Sequence, residues 1–248
     1  LLRRSTRFFY SSLLLLSLVL LGARPAAAII GVSYQMPLGN PSDATADNNN
    51  HNHFLIQRTV EALDYSDSLG QPNWASWDLT TSDTGSSGRS SSFYTDTTLP
   101  SNFTNSVPGD PINPFTGTGF DRGHMCPSGD RTDNTTDNDL VFYMSNIIPQ
   151  AADNNQGVWV SFEDYCRTLA DAGNEVLIIC GPSSFGSTKF YNGRIAVPDY
   201  VWKIAVVVPI TNGVDVLDRI NASTRVIAID TPNTNGLSRG IGWQTFVT

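Results

Sequence analysis

The sequence predicts an α+β fold, with a mostly antiparallel central sheet and flanking helices, in one domain over residues 54–248. Three observations carry this prediction. Short runs rich in β-branched and aromatic residues recur along the range, separated by Gly, Pro, Asn and Asp. Residues 156–172 form the best helix candidate, with apolar side chains at helical spacing over several turns. Hydrophobic residues form 40% of the chain, which is enough for a sizeable core.

The N-terminal segment, residues 1–28, has the three-part pattern of a secretory signal peptide. Arg3, Arg4 and Arg7 form a basic region, residues 13–21 are apolar apart from one serine, and alanines follow up to the expected cleavage point. We expect a secreted protein, extracellular or periplasmic, with no stable membrane association after cleavage. An uncleaved helical anchor is the alternative, although the apolar run is shorter than the ~20 residues that span a bilayer.

The mature chain predicted in this way is acidic. Removing the signal peptide takes away four arginines and no acids, so Lys plus Arg falls from 15 to 11 against 23 Asp plus Glu, and the net charge changes from −8 to −12. Such a protein repels nucleic acid at long range. A nucleic-acid partner would therefore have to be bound at a local cationic cleft.

Two further expectations concern the ends of the remaining chain. Residues 29–53 are polar and rich in Asn and Asp, and we expect a flexible, exposed arm there. The chain begins with Leu and ends on WQTFVT, which we interpret as a fragment of a longer coding sequence, truncated at the C-terminus.

The remaining elements follow from local pattern. Residues 80–119 are dominated by loop-forming residues, and residues 140–144 (LVFYM) are expected to form a buried strand or short helix. In the predicted helix, Trp159, Phe162 and Cys166 share one face, and Gly173 ends it. The predicted strands are residues 60–65, 73–79, 176–180, 201–208 and 226–229.

Three enzyme or site classes receive little support. The three cysteines contain no CxxC pair, which argues against a zinc cage, and allow at most one disulfide, for which Cys166 with Cys180 is conceivable. The metalloprotease motif HExxH is absent. GLSRG, residues 236–240, matches the serine-hydrolase pattern GxSxG, but no histidine follows Ser238 as the triad order requires.

The strongest chemical signal is DRGHM, residues 121–125, which holds one of only three histidines. A histidine titrates near neutrality and can accept a proton from water. Arg122 offers a planar fork of donors suited to phosphate. Taken alone, this pair is more often structural, since both residue types commonly form hydrogen bonds within proteins.

A second segment, residues 145–159, adds candidate metal ligands. Asn146, Asn154 and Asn155 offer neutral oxygen atoms, and magnesium prefers oxygen ligands while keeping several waters. Glu163 lies eight residues beyond Asn155, about 12 Å along a helix, so we expect it to reach the ion's water shell rather than the ion.

Four blocks follow one another in the sequence: DRGHM, CPSGDRT, SNIIPQ and NNQGVW followed by Glu163. In this order and spacing they resemble the DNA/RNA non-specific endonucleases, nucleases of the ββα-metal (His-Me finger) type similar to the Serratia nuclease. The resemblance extends from about Phe54 to the C-terminal strands. It implies a ββα-metal nuclease core inside the predicted α+β fold.

The resemblance also implies catalytic roles. His124 matches the general base that activates water, and Asn155 matches the asparagine that ligates Mg²⁺, for which Mn²⁺ is an alternative. Glu163 matches an acid near the waters of the metal, and Arg122 matches an arginine near the scissile phosphate.

Three further residues are candidates for substrate binding. Arg89 resembles the family's upstream arginine, although that alignment crosses a variable loop, and Asn146 matches an asparagine that shapes the site. Arg131 has two equal interpretations, a phosphate contact or a salt bridge with Asp130 or another acid. For Asp121 we favour a structural pairing with a nearby donor.

The function implied is a secreted, Mg²⁺-dependent endonuclease that hydrolyses DNA and RNA with little sequence preference. Two alternatives stay open at this point. One is a nuclease restricted to DNA or to RNA, and the other is a catalytically inactive secreted homologue that binds nucleic acid.

Overall fold

The computed structural model describes residues 35–104 and 106–248. The predicted signal peptide and its cleavage point lie outside these residues. Within them, none of the helices has the length and apolar character needed to cross a bilayer.

A six-stranded antiparallel sheet forms the centre of the fold, in the order β1-β2-β3-β6-β7-β8, and β4 pairs with β5 in a separate antiparallel ribbon. This confirms the predicted α+β class. The strands are β1 Phe54–Gln57, β2 Ala62–Ser66, β3 Gln71–Leu79, β4 Phe120–His124, β5 Ile147–Ala151, β6 Asn174–Phe190, β7 Ile195–Pro209 and β8 Arg225–Pro232. The helices are α1 Thr135–Leu140, α2 Val160–Asp171 and α3 Val216–Arg219, with a π-helical turn at Asn154–Trp159.

Helix α2 packs on the sheet through the face that its spacing predicts. Trp159, Phe162 and Cys166 are each at most 1% exposed and belong to the main core with the inner sides of β3 and β6. Gly173, with φ of 87°, ends the helix, because positive φ is readily adopted by glycine. The side-chain amide of Asn174 then donates to the carbonyl of Leu169 at 2.8 Å.

The β4–β5 ribbon and helix α2 together form a ββα unit. Gly123 pairs with Ile148 across the ribbon, and a Cβ at this glycine would lie 2.4 Å from the Cβ of Gln150. The position therefore requires glycine. Pro149 fits within β5 opposite Arg122, because a two-stranded ribbon leaves each strand an unpaired edge where no N–H is needed.

Two local predictions need correction. In the described part of the segment expected to be an exposed arm, residues 45–49 are exposed as expected, whereas Met36 and Ala44 are 3% exposed and share a core cluster with Trp74. Polar composition concealed these few apolar anchors. Residues 140–144 form no continuous strand or helix, because α1 ends at Leu140, a turn follows, Tyr143 forms an isolated bridge with Tyr94, and Met144 begins a short 3₁₀ helix.

The cysteines remain thiols. Cys126, Cys166 and Cys180 are all buried and free, so the conceivable Cys166–Cys180 bridge does not form. They act as small apolar residues in the core.

Arg131, a candidate phosphate contact in the sequence, is instead a core residue with 2% exposure. Its guanidinium donates to the carbonyls of Val60, Asp78 and Asp130 at 2.8 Å each. Its Nη1 also lies 3.4 Å from the carboxylate of Asp83, so the salt-bridge interpretation is the nearer one. Arg131 joins the loop after β4 to the ends of the central strands.

We expect Arg131→Met to lower the free energy of unfolding by about 3 kcal/mol, because buried carbonyls lose their donors. Denaturant unfolding measures the change. Arg194→Met is the matched control, since Arg194 is exposed and its loss should cost less than about 0.5 kcal/mol. Equal stability of the two variants would contradict the structural role of Arg131.

Candidate active site

A cavity of about 490 Å³ opens where β4, the π-helical turn and α2 meet. Cationic side chains, one histidine, one carboxylate and two amides surround it. The lining residues are Arg89, Arg122, His124, Pro127, Ser128, Gly129, Asn155, Gln156, Val160, Glu163 and Arg167.

His124 is held rigidly at the wall of this cavity. It is 7% exposed, and its ring packs against Phe142 and Phe93 at centroid distances of 4.6 and 5.4 Å. Burial, together with the charges of Arg89 and Arg122, lowers the pKa of His124 to about 3. The imidazole is therefore neutral at neutral pH and available as a base.

Three arginines border the same cavity, and two of them lie over aromatic rings. Arg122 is two residues from His124 on β4, so both side chains leave the strand on one face. Its guanidinium lies 3.7 Å from the Phe93 ring centroid and donates to Asp110 at 2.8 Å. Arg89 lies over Phe142, with its Cζ 4.8 Å from the ring centroid.

The π-helical turn divides its two asparagines between core and cavity. Asn154 is fully buried and donates to Thr231 Oγ1 at 2.9 Å. Asn155 lines the cavity, and its Nδ2 donates to Asp121 Oδ2 at 2.9 Å. Since the NH₂ group is committed to Asp121, the Oδ1 atom of Asn155 is left as the free acceptor. The structural pairing favoured for Asp121 therefore has a specific partner.

Glu163 lies at the floor of the cavity in a buried ion pair. Its Oε1 is 3.2 Å from Nζ of Lys203, which lies 4.1 Å from the Trp159 ring centroid. Burial raises the pKa of the Glu163 carboxyl, and the Lys203 charge opposes that rise. The pair puts a carboxylate beside the cavity although Glu163 is only 8% exposed.

The donor set fits a hard cation that keeps its waters. Among residues 35–104 and 106–248, no group of three or more His, Cys, Asp or Glu could form a cage for a metal ion. The cavity offers one free amide oxygen, from Asn155, and one carboxylate, from Glu163. Magnesium is bound in this manner, through one or two protein oxygens with water and phosphate completing the shell.

The structure brings five of the seven site candidates to one cavity: His124, Arg122, Arg89, Asn155 and Glu163. The other two, predicted as substrate-binding, do not line it. Arg131 is in the core, as described above.

Asn146 is the second candidate that does not line the cavity. It is fully buried, accepts from the backbone N–H of Cys126 at 3.0 Å and donates to the carbonyls of Cys126 and Val141 at 2.9 Å each. It therefore fixes the chain just after His124.

Sequence reasoning missed two charged residues. Arg167 lines the cavity one helical turn after Glu163, an i,i+4 spacing that signals a shared face. Its Nη1 donates to Asp130 at 2.7 Å. Lys203 stands within the apolar run VWKIAVVV, where a charge signals a buried partner that the sequence does not name.

Two antiparallel strands followed by a helix, with a histidine on the first strand and an asparagine before the helix, define the ββα class of nucleases. The chain belongs to the DNA/RNA non-specific endonuclease family, whose model matches residues 40–248. The match begins before residue 54, as expected from the packing of the preceding segment. Family membership makes the protein a nuclease, a hydrolase of phosphodiester bonds.

Comparisons with individual proteins agree with this assignment. A nuclease of Nostoc sp. is 39% identical over 216 residues, which cover 87% of this chain and 75% of the relative. A nuclease of Serratia marcescens is 27% identical over 207 residues, covering 79% and 72%. The structure of EndoG in its complex with EndoGI matches with a TM-score of 0.62 at 21% identity, over 83% of this chain and 87% of that chain, which supports the fold.

We expect His124 to stay neutral from about pH 8 down to about pH 5 in metal-free protein, because burial and two arginines hold its pKa at about 3. His53 is an internal control, since its hydrogen bond to Asp64 raises its pKa above 6.5. NMR titration of the imidazole signals in EDTA measures both. A His124 midpoint near neutrality would contradict the burial of the imidazole.

Proposed function

We propose that the protein is a metal-dependent endonuclease that hydrolyses DNA and RNA with little sequence preference, with His124 as the general base. The observation that carries the proposal is the single cavity shared by a neutral histidine, an amide oxygen free to bind a cation, and three arginines. A base, a cation ligand and phosphate donors at one place suit phosphodiester hydrolysis.

His124 takes a proton from the attacking water. Its imidazole is neutral, and the packing of Phe142 and Phe93 limits rotation of the ring. The proton acceptor therefore stays in one orientation relative to a phosphate in the cavity. A base positioned in this way contributes about 10²- to 10⁴-fold to the rate.

Arg89, Arg122 and Arg167 bind the phosphate and stabilise the charge that develops on it. Guanidinium groups contact phosphate oxygens, which all four nucleotides share in both DNA and RNA. Contacts to the backbone carry no sequence information. This accounts for the proposed breadth of substrate.

Asn155 Oδ1 would bind a magnesium ion directly, and Glu163 would hydrogen-bond to its water shell, with Mn²⁺ as an alternative ion. When bound, the ion supplies Lewis-acid polarisation of the phosphate. Asp121 keeps the Asn155 amide oriented with its oxygen unpaired.

We expect His124→Ala to lose at least about 100-fold of the magnesium-dependent cleavage of plasmid DNA, because the water loses its base. His53→Ala is the matched control, a histidine removed outside the cavity and expected to keep wild-type activity. EDTA should abolish cleavage by both the wild type and the control.

Three outcomes separate the alternatives. Equal activity of His124→Ala and wild type would refute the assigned base. Rates on DNA and on RNA that differ by orders of magnitude would favour a restricted nuclease. Binding of DNA without any cleavage by the wild type would identify an inactive binding homologue.

We also propose that the protein is exported. The support is the basic region around Arg3 and Arg4, the apolar residues 13–21 and the alanines ending at Ala28. Expression of the full chain in a bacterial host should release a protein whose N-terminal residue, read by mass spectrometry, is Ile29. Retention of residues 1–28 in the membrane fraction would favour the uncleaved anchor.

A further inference from the structure

The loop of residues 233–242, between β8 and the short 3₁₀ helix Trp243–Phe246, lies against the π-helical turn. It contains the GLSRG segment that fits no serine-hydrolase site. Asn233 anchors its start by donating to the carbonyls of Pro149 and Pro198 at 3.0 and 2.9 Å. Trp243 anchors the position after it, packed on Phe162 of α2 with a centroid distance of 5.0 Å. Between these anchors the loop carries Arg239.

Arg239 contacts the residues on both sides of Asn155. Its Nε donates to Asp153 Oδ1 at 2.9 Å, and its Nη1 donates to Gln156 Oε1 at 2.8 Å. The other carboxylate oxygen of Asp153 accepts from the N–H of Gly236, also in the loop, at 2.9 Å. One guanidinium therefore spans the turn that presents Asn155.

The contact continues to Asp121. Gln156 Nε2 donates to Asp121 Oδ2 at 2.7 Å, and this is the same oxygen that accepts from Asn155 Nδ2 at 2.9 Å. Arg239 thus orients the Gln156 amide, which shares the acceptor that orients Asn155. The chain of hydrogen bonds runs from the loop to the proposed cation ligand through side chains alone.

The backbones are also in close contact at this place. Gly157 has a non-helical conformation, with φ of −118° and ψ of −106°, within the π-helical turn. A Cβ at Gly157 would lie 3.2 Å from Arg239 Cα, so the absence of a side chain there lets the loop approach the turn. Single-turn π-helical segments of this kind are frequent at functional sites.

We propose that Arg239 is a positioning residue that holds the turn of Asp153 to Gly157 and so keeps Asn155 ready to bind the cation. The inference rests on the metal site of the proposed function. An isolated surface ion pair contributes little. Arg239 differs because it restrains two side chains that flank one ligand, and partners of this kind typically affect metal affinity by about 10- to 100-fold when they touch the ligand itself.

The test uses Arg239→Ala, whose side chain is 52% exposed and whose removal should leave the core intact. Arg225→Ala is the matched control, because it removes the same charge from an exposed arginine that bonds to Tyr165 and does not line the cavity. Mn²⁺ titration followed by electron paramagnetic resonance gives the dissociation constant. We expect the dissociation constant to rise about 3- to 10-fold in Arg239→Ala and not to change in Arg225→Ala. The expected effect is smaller than that of residues in direct contact with a ligand, because Arg239 acts on Asn155 through Gln156 and Asp121.

A second measurement reports on the metal-free protein. Hydrogen exchange in a peptide covering residues 153–157 should be faster in Arg239→Ala than in wild type and Arg225→Ala. In the Asp121→Ala background, Arg239→Ala should raise the Mn²⁺ dissociation constant less than it does in wild type, because the two residues share one chain of contacts.

The outcomes distinguish this inference from the proposed function. Equal Mn²⁺ affinity and equal exchange in Arg239→Ala and Arg225→Ala would overturn the positioning role and leave the proposed function intact. A higher KM for DNA with unchanged Mn²⁺ affinity and exchange would identify a phosphate contact and also overturn it. Failure of the wild type to bind Mn²⁺ would refute the proposed metal site. Unchanged hydrogen exchange in Arg239→Ala would then refute the positioning role of Arg239 as well.

Discussion

The arrangement of the site depends on one carboxylate oxygen, Asp121 Oδ2. It accepts from Asn155 at 2.9 Å and from Gln156 at 2.7 Å, and so ties strand β4 to the turn that begins α2. His124 is three residues further along the same strand. The proposed base, His124, and the proposed cation ligand, Asn155, are therefore fixed relative to each other, although a long connection separates their elements in the chain. An amide can present either end, and donation to Asp121 decides that its oxygen is the end left free.

The acidic composition of the protein is compatible with a cationic cavity because acids hold two of its three arginines in place. Asp110 accepts from Arg122 at 2.8 Å, and Asp130 accepts from Arg167 at 2.7 Å. Each guanidinium has five N–H donors, so several remain for a phosphate. Repulsion from the wider acidic surface is screened beyond about 10 Å at 0.1 M salt. Local geometry, and not net charge, then governs binding at close range.

Sequence reasoning predicted the features that local patterns determine, and it failed where residues distant in the chain determine the location of a side chain. The antiparallel α+β sheet and helix α2 followed from local pattern, and the pairing of His124 with Asn155 followed from the resemblance of four sequence blocks to a known family. The different locations of the two arginines, Arg131 in the core and Arg167 at the cavity, did not follow from the sequence. Both arginines have similar polar and charged residues next to them in the chain. Arg131 lies in the core because it donates to the carbonyls of Val60 and Asp78, which precede it by 71 and 53 residues. No local pattern encodes that choice.

The buried pair of Glu163 and Lys203 has a consequence for the cavity. A buried ion pair is costly to desolvate, and apolar replacements of similar volume are often as stable or more so. Stability alone is thus a weak explanation for the burial of Lys203, which is 1% exposed and lies between Trp159 and Trp77. Burial by itself favours the neutral form of Glu163, and Lys203 opposes it. An ionised carboxylate accepts hydrogen bonds from water with both oxygens, which is the property that the proposed magnesium site requires of Glu163.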